Sequence, residues 1–462
     1  MKAKKFLSAL LALALVLCLG TPALAAEAAD QQPSSWTYEY LTDGYALGLV
    51  DDDMGQYILS PVTQERLDLM TAAAAAKLAL LELPRRTATD EPLVVDLTRG
   101  GVMNALYQIC ADYELEGIED GPIPFLSGLG VVRGVNKAGD LDLERACTCQ
   151  EAMVMTVRLV LAVYDQAGAG SHGLLWKATN GGNTLYLLGT AHMDRGNIYP
   201  FHRSLRAALA SAQEVIFELD LNDQEGMAQL AAMQSYTDGT TLKDHISPEL
   251  YDQTVELVSS LTGLPEETIA SLKPWALAAS LTSLLTQDES TGDTPLAIDL
   301  YLNSAAVYQG KTIGAVETYA FQGGIFDTLS PEYQEAYLAS SVALCLAASG
   351  ETPDLTEEEQ QAVQEALELQ NQMLDAMIDA WKAGDAEAFG QAYDKAAIVN
   401  SDDELNSRLF TDRDPNMIKY AAQLLEREGE NIFFLAVGAG HMVDPGGIVS
   451  GLRALGYTVE PV

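Results

Sequence analysis

The chain has 462 residues, room for about two to three domains, and 48% of them are hydrophobic, which is enough apolar side chain for a large core. It sets 26 basic against 66 acidic residues, a net charge of −40. That balance excludes nucleic acid as a partner, since a phosphate backbone needs a cationic face, and it fits a solvated surface that attracts cations or basic peptides.

The first residues have the pattern of a secretory signal. Lys2, Lys4 and Lys5 form a basic start, residues 7–19 an apolar run, and Ala23-Leu24-Ala25 a cleavage site, so the mature chain is expected to begin near Ala26 and to be secreted. The run is shorter than the ~20 residues of a membrane span, and no later stretch is long and apolar enough to supply an integral membrane segment. Cys110, Cys147, Cys149 and Cys345 are too few to build a disulfide scaffold in a chain of this length. A bridge from Cys110 to Cys147 or Cys149, and four buried thiols, both remain open.

Residues 26–170 read as a small, mostly helical accessory module. A polar linker at 31–35 leads into 38–50 and 57–59, where clustered aromatic and apolar residues suggest strand or turn, and then an alanine-rich helix over 63–81. Two phrases match at a spacing of roughly 86 residues: Gln64-Glu65 recurs as Gln150-Glu151, 86 residues on, and Met70-Thr71 as Met155-Thr156, 85 residues on. This weak internal repeat resembles the S-layer homology pattern, a resemblance that implies association with the cell wall; the alternative is two ordinary capped helices. Gly168-Ala169-Gly170-Ser171 is the expected hinge into a second domain over 171–462.

From there the pattern becomes α/β. Residues 174–178 and 184–188 flank Asn180-Gly181-Gly182-Asn183, a hairpin signal. A helix over 200–212 precedes a buried strand over 214–220, whose apolar run is interrupted by Glu218. Helices are expected from Pro248 to Gly263, from Pro274 onward, over 295–309, 330–348 and 356–383, and again after Arg413. Between them, 311–317 reads as a short strand ending in Glu317, 431–437 as a buried strand, and 457–459 as a terminal strand after a helix over 446–455. The fold class is a central mixed sheet surrounded by helices.

Two of the five histidines stand in matching frames. An apolar strand runs into Gly189-Thr190-Ala191-His192, and another into Gly438-Ala439-Gly440-His441. Histidines at strand C-termini lie where open α/β sheets bind ligands. With Glu218, another strand-end residue, His192 and His441 make a two-histidine, one-carboxylate set suited to zinc, manganese or cobalt with an open position. Such a metal lowers the pKa of bound water and polarises a carbonyl. Glu317 is the candidate general base or further ligand, Arg413 a candidate clamp on a carboxylate or oxyanion, and Asn416 a group to orient either. His172, His202 and His245 lack any frame and read as surface residues. The chain has no Gly-x-Ser-x-Gly elbow, Walker motif or His-Glu-x-x-His.

These phrases, with Lys273-Pro274-Trp275, Gln322, Arg413, Asn416-Met417 and Leu455-Gly456-Tyr457 in the same order, resemble the TraB/GumN (TraB/PrgY/TIKI-like) family from residue 173 to 462. The resemblance implies a sheet with surrounding helices related to erythromycin-esterase and ChaN-like proteins. It implies a functional core at His192, Glu218 and His441, and, from the TIKI-like members, metal-dependent peptide cleavage. Arg413-Asp414-Pro415-Asn416 departs from it, since the family has arginine and asparagine adjacent. The expected function is a secreted metal-dependent hydrolase acting on a peptide; the alternative is a protein that sequesters a peptide or small ligand in the same cleft without cleaving it.

Overall fold

A computed structural model describes residues 31–87, 93–191, 197–285, 296–350 and 357–462. The signal-like start and His192 lie outside the described residues. Strands β1 (Leu174–Asn180), β2 (Asn183–Thr190), β3 (Glu214–Phe217), β4 (Thr312–Ala315), β5 (Ile432–Gly438) and β6 (Thr458–Pro461) make one sheet in the order β4-β3-β5-β2-β1-β6. The hairpin β1–β2 and the β1–β6 pair are antiparallel, whereas β2, β5, β3 and β4 run parallel. The parallel strands are therefore covered on both faces, and β2 and β5 read as near-continuous apolar runs because neither face meets water.

The register brings the chemistry to one edge. Thr190 pairs with Gly438, and Phe217 sits between Ala436 and Ala315, so four strands reach their C-terminal ends together. Gly189 is required there: a Cβ on it would lie 2.9 Å from Ala439 Cα, closer than a side chain tolerates.

Around the sheet pack α5 (Arg203–Ser211), α6 (Pro248–Thr262), α7 (Pro274–Leu285), α8 (Ile298–Tyr308), α9 (Tyr319–Asp327), α10 (Pro331–Ala348), α11 (Glu357–Ala383), α12 (Ala386–Tyr393), α13 (Lys395–Val399), α14 (Asp414–Leu425), α15 (Ala439–Met442) and α16 (Ile448–Ala454). Along α11, Leu374, Met377, Ile378 and Trp381 are buried at helical spacing, as its apolar stripe predicts. The Trp381 indole donates to the Gly189 carbonyl at 2.6 Å and so ties this helix to the strand that ends in the first Gly-x-x-His.

The accessory region is built from α1 (Tyr38–Ala46), α2 (Gln64–Ala79), α3 (Arg99–Cys110) and α4 (Cys149–Ala167). Residues 38–46 are helical, not the strand or turn that their aromatic content suggests. The helix is buried nearly all round, from Tyr40 through Gly44 and at Ala46, and Gly44 packs on Met153 so closely that a Cβ would meet its sulfur at 2.8 Å. The repeated phrases lie side by side. Val62 N donates to Cys147 O at 2.8 Å and Cys149 N to Ser60 O at 2.9 Å, while Thr63 and Thr148 cap α2 and α4. The Thr148–Glu151 pair is a full capping box. All four cysteines are free and buried, and burial pushes the Cys110 and Cys147 thiols up to about 12, which leaves them unreactive thiols rather than thiolates.

The accessory helices share one continuous core with the sheet domain. Their junction is also polar: Tyr301 donates to the buried Asp43 carboxylate at 2.8 Å, and Lys77 Nζ donates to the Tyr199 carbonyl at 3.1 Å. Burial pushes the Asp43 carboxyl up to about 6, against the lowering effect of the Tyr301 hydrogen bond. His172 and His202 are half-buried at this junction with rings stacked 3.9 Å apart, while His245 is exposed on Tyr236.

Candidate functional site

The site begins where β3 and β4 stop. The ladder continues two residues past them, Val316 N donating to Phe217 O and Glu317 N to Glu218 O, each at 2.9 Å. This fixes Glu218 and Glu317 as neighbours at the sheet edge. Two nearby carboxylates repel, and burial sharpens the repulsion, so a cation is needed between them. Arg413 supplies it from the residue before α14, just after a π-helical turn over Ser407–Thr411. Its Nη2 lies 2.6 Å from Glu218 Oε2 and 2.8 Å from Glu317 Oε2, and its Nε donates to Glu317 Oε1 at 2.9 Å. Arg413 is 1% exposed. Burial alone would lower its pKa, and the charges of Glu218 and Glu317 outweigh that, so the guanidinium is held above its ordinary value.

Gln322, one turn into α9, joins the pair from the other side. Its Nε2 donates to Glu317 Oε2 at 2.9 Å and to Glu218 Oε2 at 3.2 Å. The remaining Glu218 oxygen, Oε1, accepts the Gly438 backbone N–H at 2.7 Å. The glycine of the second Gly-x-x-His thus holds the carboxylate of another strand.

His441 follows on the short helix α15 and is buried. Its Nδ1 lies 2.6 Å from Asp414 Oδ1, and its Nε2 lies 3.9 Å from Glu218 Oε1. Asp414 Oδ2 in turn accepts from the buried Lys395 Nζ at 2.7 Å, which also donates to the Val443 carbonyl at 3.0 Å. Burial pushes the Lys395 ammonium below its ordinary value, while Asp414 pulls it back up. A carboxylate on Nδ1 fixes the imidazole ring and leaves Nε2 as the outward atom.

This arrangement suits a cation. With carboxylates ionised, Glu218, Glu317 and Asp414 carry three negative charges against two positive charges on Arg413 and Lys395. Nε2 of His441 and Oε1 of Glu218 converge without a direct hydrogen bond. Two hydroxyls at the same edge, Thr190 Oγ1 and Tyr393 Oη, are buried without a partner among the described residues. The His441 nitrogen and the Glu218 oxygen fit a divalent metal of the mixed N/O type. Among the described residues no group of three His, Cys, Asp or Glu side chains is placed to hold one, the third predicted ligand being His192.

The model of the TraB/PrgY/gumN family matches residues 174–461. The chain belongs to the TraB/PrgY/gumN family. Within curated proteins it is 25% identical over 319 residues to a protein named Metalloprotease TIKI1 from Danio rerio, covering 60% of each chain. It is 24% identical over 319 residues to the Metalloprotease TIKI homolog of Nematostella vectensis, covering 60% of this chain and 64% of that one. It is 24% identical over 318 residues to Metalloprotease TIKI2 of Xenopus tropicalis, covering 60% and 57%. The chain spans about 60% of the length of the first of these relatives. No solved structure matches. The family match covers the sheet domain and stops short of the accessory helices.

Of the residues singled out from the sequence, Glu218, Glu317, Arg413 and His441 come together. Glu317 spends both oxygens on Arg413 and Gln322, so it is built to hold that arginine. Arg413 is a carboxylate clamp, but the carboxylates it clamps are the protein's own. Asn416 does not reach this cluster: it is exposed and its amide donates to the Asp412 carbonyl at 3.1 Å. Side chains of residues early in a helix point back over its first turn, toward free carbonyls outside it. Sequence reasoning gave no role to Asp414, Lys395 or Tyr393. Asp414 was signalled only by the departure at Arg413-Asp414, and Lys395 and Tyr393 had no signal, being one lysine and one tyrosine in an ordinary helical stretch.

Proposed function

We propose that the chain is a metal-dependent peptide hydrolase, secreted by virtue of its signal-like start, that works at the sheet edge formed by Glu218, Gly438 and His441. The observation that carries this reading is the His441 ring, held on Nδ1 by Asp414 with Nε2 turned to Glu218 Oε1. His441 Nε2 and Glu218 Oε1 would hold the metal, with His192 the further ligand that the resemblance implies. When bound, a divalent ion there supplies an acidified water and a polarised carbonyl. The protein's own groups do the rest. The Gly438 N–H and Arg413 lock the Glu218 carboxylate, and Glu317, itself held by the Gln322 amide, locks Arg413 in a buried setting.

Metal analysis of purified protein, paired with a peptide-library cleavage screen, tests this. About one divalent ion per chain and released peptide fragments are expected, and His441→Ala should lower both metal content and turnover at least ~100-fold. Wild-type protein that takes up no metal sinks the mechanism. Protein that binds peptide with and without His441 and releases no fragment is a sequestering binder instead.

For the accessory helices we infer a second role, docking to an anionic saccharide such as a cell-wall polymer. A cleft of about 840 Å³ is lined by Trp36, Tyr38, Arg99, Arg133, Arg145 and Arg158, with Glu39 and Glu151 among them. Four arginines in one cleft of a chain with net charge −40 mark a local reversal of sign. Glu151 engages Arg99 and Arg145, Asp142 also holds Arg145, and Glu39 lines the cleft, so the cationic character rests on Arg133 and Arg158 beside aromatic faces that stack on sugar rings. Calorimetry should show tetragalacturonate binding, and Arg133→Gln/Arg158→Gln should weaken it about tenfold or more. Equal binding of uncharged maltotetraose, or no effect of the substitutions, refutes the role.

A further inference from the structure

Buried hydroxyls almost always find a hydrogen-bond partner, and one that does not calls for an explanation, a catalytic role or a bound ion or water among them. Tyr393, the last residue of α12, is 2% exposed and its Oη has no partner among the described residues. The ring is held firmly. It packs on Phe389 with centroids 5.8 Å apart and meets Phe410 edge-on at 6.2 Å, and Phe410 in turn packs on His441 at 5.1 Å. The backbone opposite is bare: a Cβ on Gly440 would lie 2.9 Å from Tyr393 Oη. The second Gly-x-x-His therefore carries an extra glycine at the point where this hydroxyl arrives, one residue before His441. Asp414, Arg413 and Glu218 all act on the phenol electrostatically, and burial pushes its pKa well above the ordinary tyrosine value, so it stays a donor at every working pH.

A second such group faces the same stretch. Thr190 Oγ1 is fully buried, without a partner among the described residues, and Thr190 pairs in register with Gly438. Two donors without a partner among the described residues thus flank the segment 438–441, while the Arg413 guanidinium is occupied by Glu218 and Glu317.

We propose that the Tyr393 hydroxyl is the hydrogen-bond donor this site offers to the developing oxyanion of its substrate, a role that rests on the hydrolase reading above. Water adds to the scissile carbonyl carbon and the π pair moves onto the carbonyl oxygen. Tyr393 donates a hydrogen bond to that oxygen and keeps its proton. Collapse restores the C=O bond, breaks the C–N bond, and the water-derived proton leaves with the amine. A donor aimed at charge that develops only in the transition state acts on kcat more than on KM.

The test compares full-length wild type with Tyr393→Phe in three measurements: peptide cleavage, affinity for a phosphinate peptide that mimics the tetrahedral adduct, and thermal melting. Tyr393→Phe should melt at or above the wild-type temperature, because it removes only an unpartnered hydroxyl. It should lose about 10²–10³ in kcat with KM little changed, and lose phosphinate affinity in proportion. Unchanged kcat and phosphinate affinity in a stabilised variant overturn the proposal and leave the hydroxyl a packing defect. Wild type that binds the phosphinate through Tyr393 yet cleaves nothing sinks the hydrolase reading alone. Wild type that binds no phosphinate overturns the proposal as well.

Discussion

Arg413→Met should destabilise the protein by about 3–5 kcal/mol, the range for removing one partner of a buried charge network. Methionine nearly matches the volume, so the loss is electrostatic in origin rather than a cavity effect. Glu218 and Glu317, whose side chains are 11% and 5% exposed, would be left facing each other with only Gln322 between them. Arg413→Lys keeps the charge but not the fork that reaches both carboxylates, so its loss should be intermediate. Urea titration followed by far-UV circular dichroism measures both. A methionine variant within about 1 kcal/mol of wild type would show that the carboxylates are relieved some other way, and the site would not be organised around Arg413. Restoring stability with Arg413→Met/Glu317→Gln would show that the arginine is kept to balance charge.

That network explains how far the sequence could be read. The sheet domain was legible because each strand that matters is a short apolar run ending in a marked residue. Gly189, Glu218, Glu317 and Gly438 all close such runs, and parallel register brings their ends to one edge. Strand order was not legible, since placing β5 between β2 and β3 depends on contacts more than 200 residues apart, such as Glu214 opposite Phe433. Residues 38–46 misled because Tyr38, Tyr40 and Tyr45 carry a strand-like composition, and the helix is buried from Tyr40 through Gly44 and at Ala46, so no one-face period marks it. In the site, the residues that close strands or follow them in a marked motif were found, as was Arg413, whereas Asp414 and Lys395, which meet between two helices, were not. Lys395 reaches Asp414 only because α13 and α14 pack beside the turn at Val443, and nothing local to Lys395 announces that.

Lys395→Met should cost a similar 3–5 kcal/mol, and it should reach the metal site as well. The lysine is fully buried at its side chain; its Nζ donates to Asp414 Oδ2 and the Val443 carbonyl and sits 4.9 Å over the Phe410 ring. Without it, Asp414 is a buried carboxylate whose remaining ionic contact among the described residues is His441 Nδ1 at 2.6 Å. The imidazole then loses the firm second contact that fixes its ring, and metal affinity measured by competition with a chelator should fall about 10–100-fold. Asp414→Asn alone strands Lys395 instead and should be comparably unstable. The two together, Lys395→Met/Asp414→Asn, remove both charges and leave an amide oxygen to accept from Nδ1. This double variant should recover much of the stability, with a coupling energy of about 1–3 kcal/mol in the double-mutant cycle. Nitrogen NMR of the His441 ring would report whether its tautomer is restored. If the double variant is as unstable as the sum of the single ones, Lys395 acts through the Val443 carbonyl rather than through Asp414. The buried lysine would then be holding the turn after His441, and the orientation of the ring would rest on Asp414 alone.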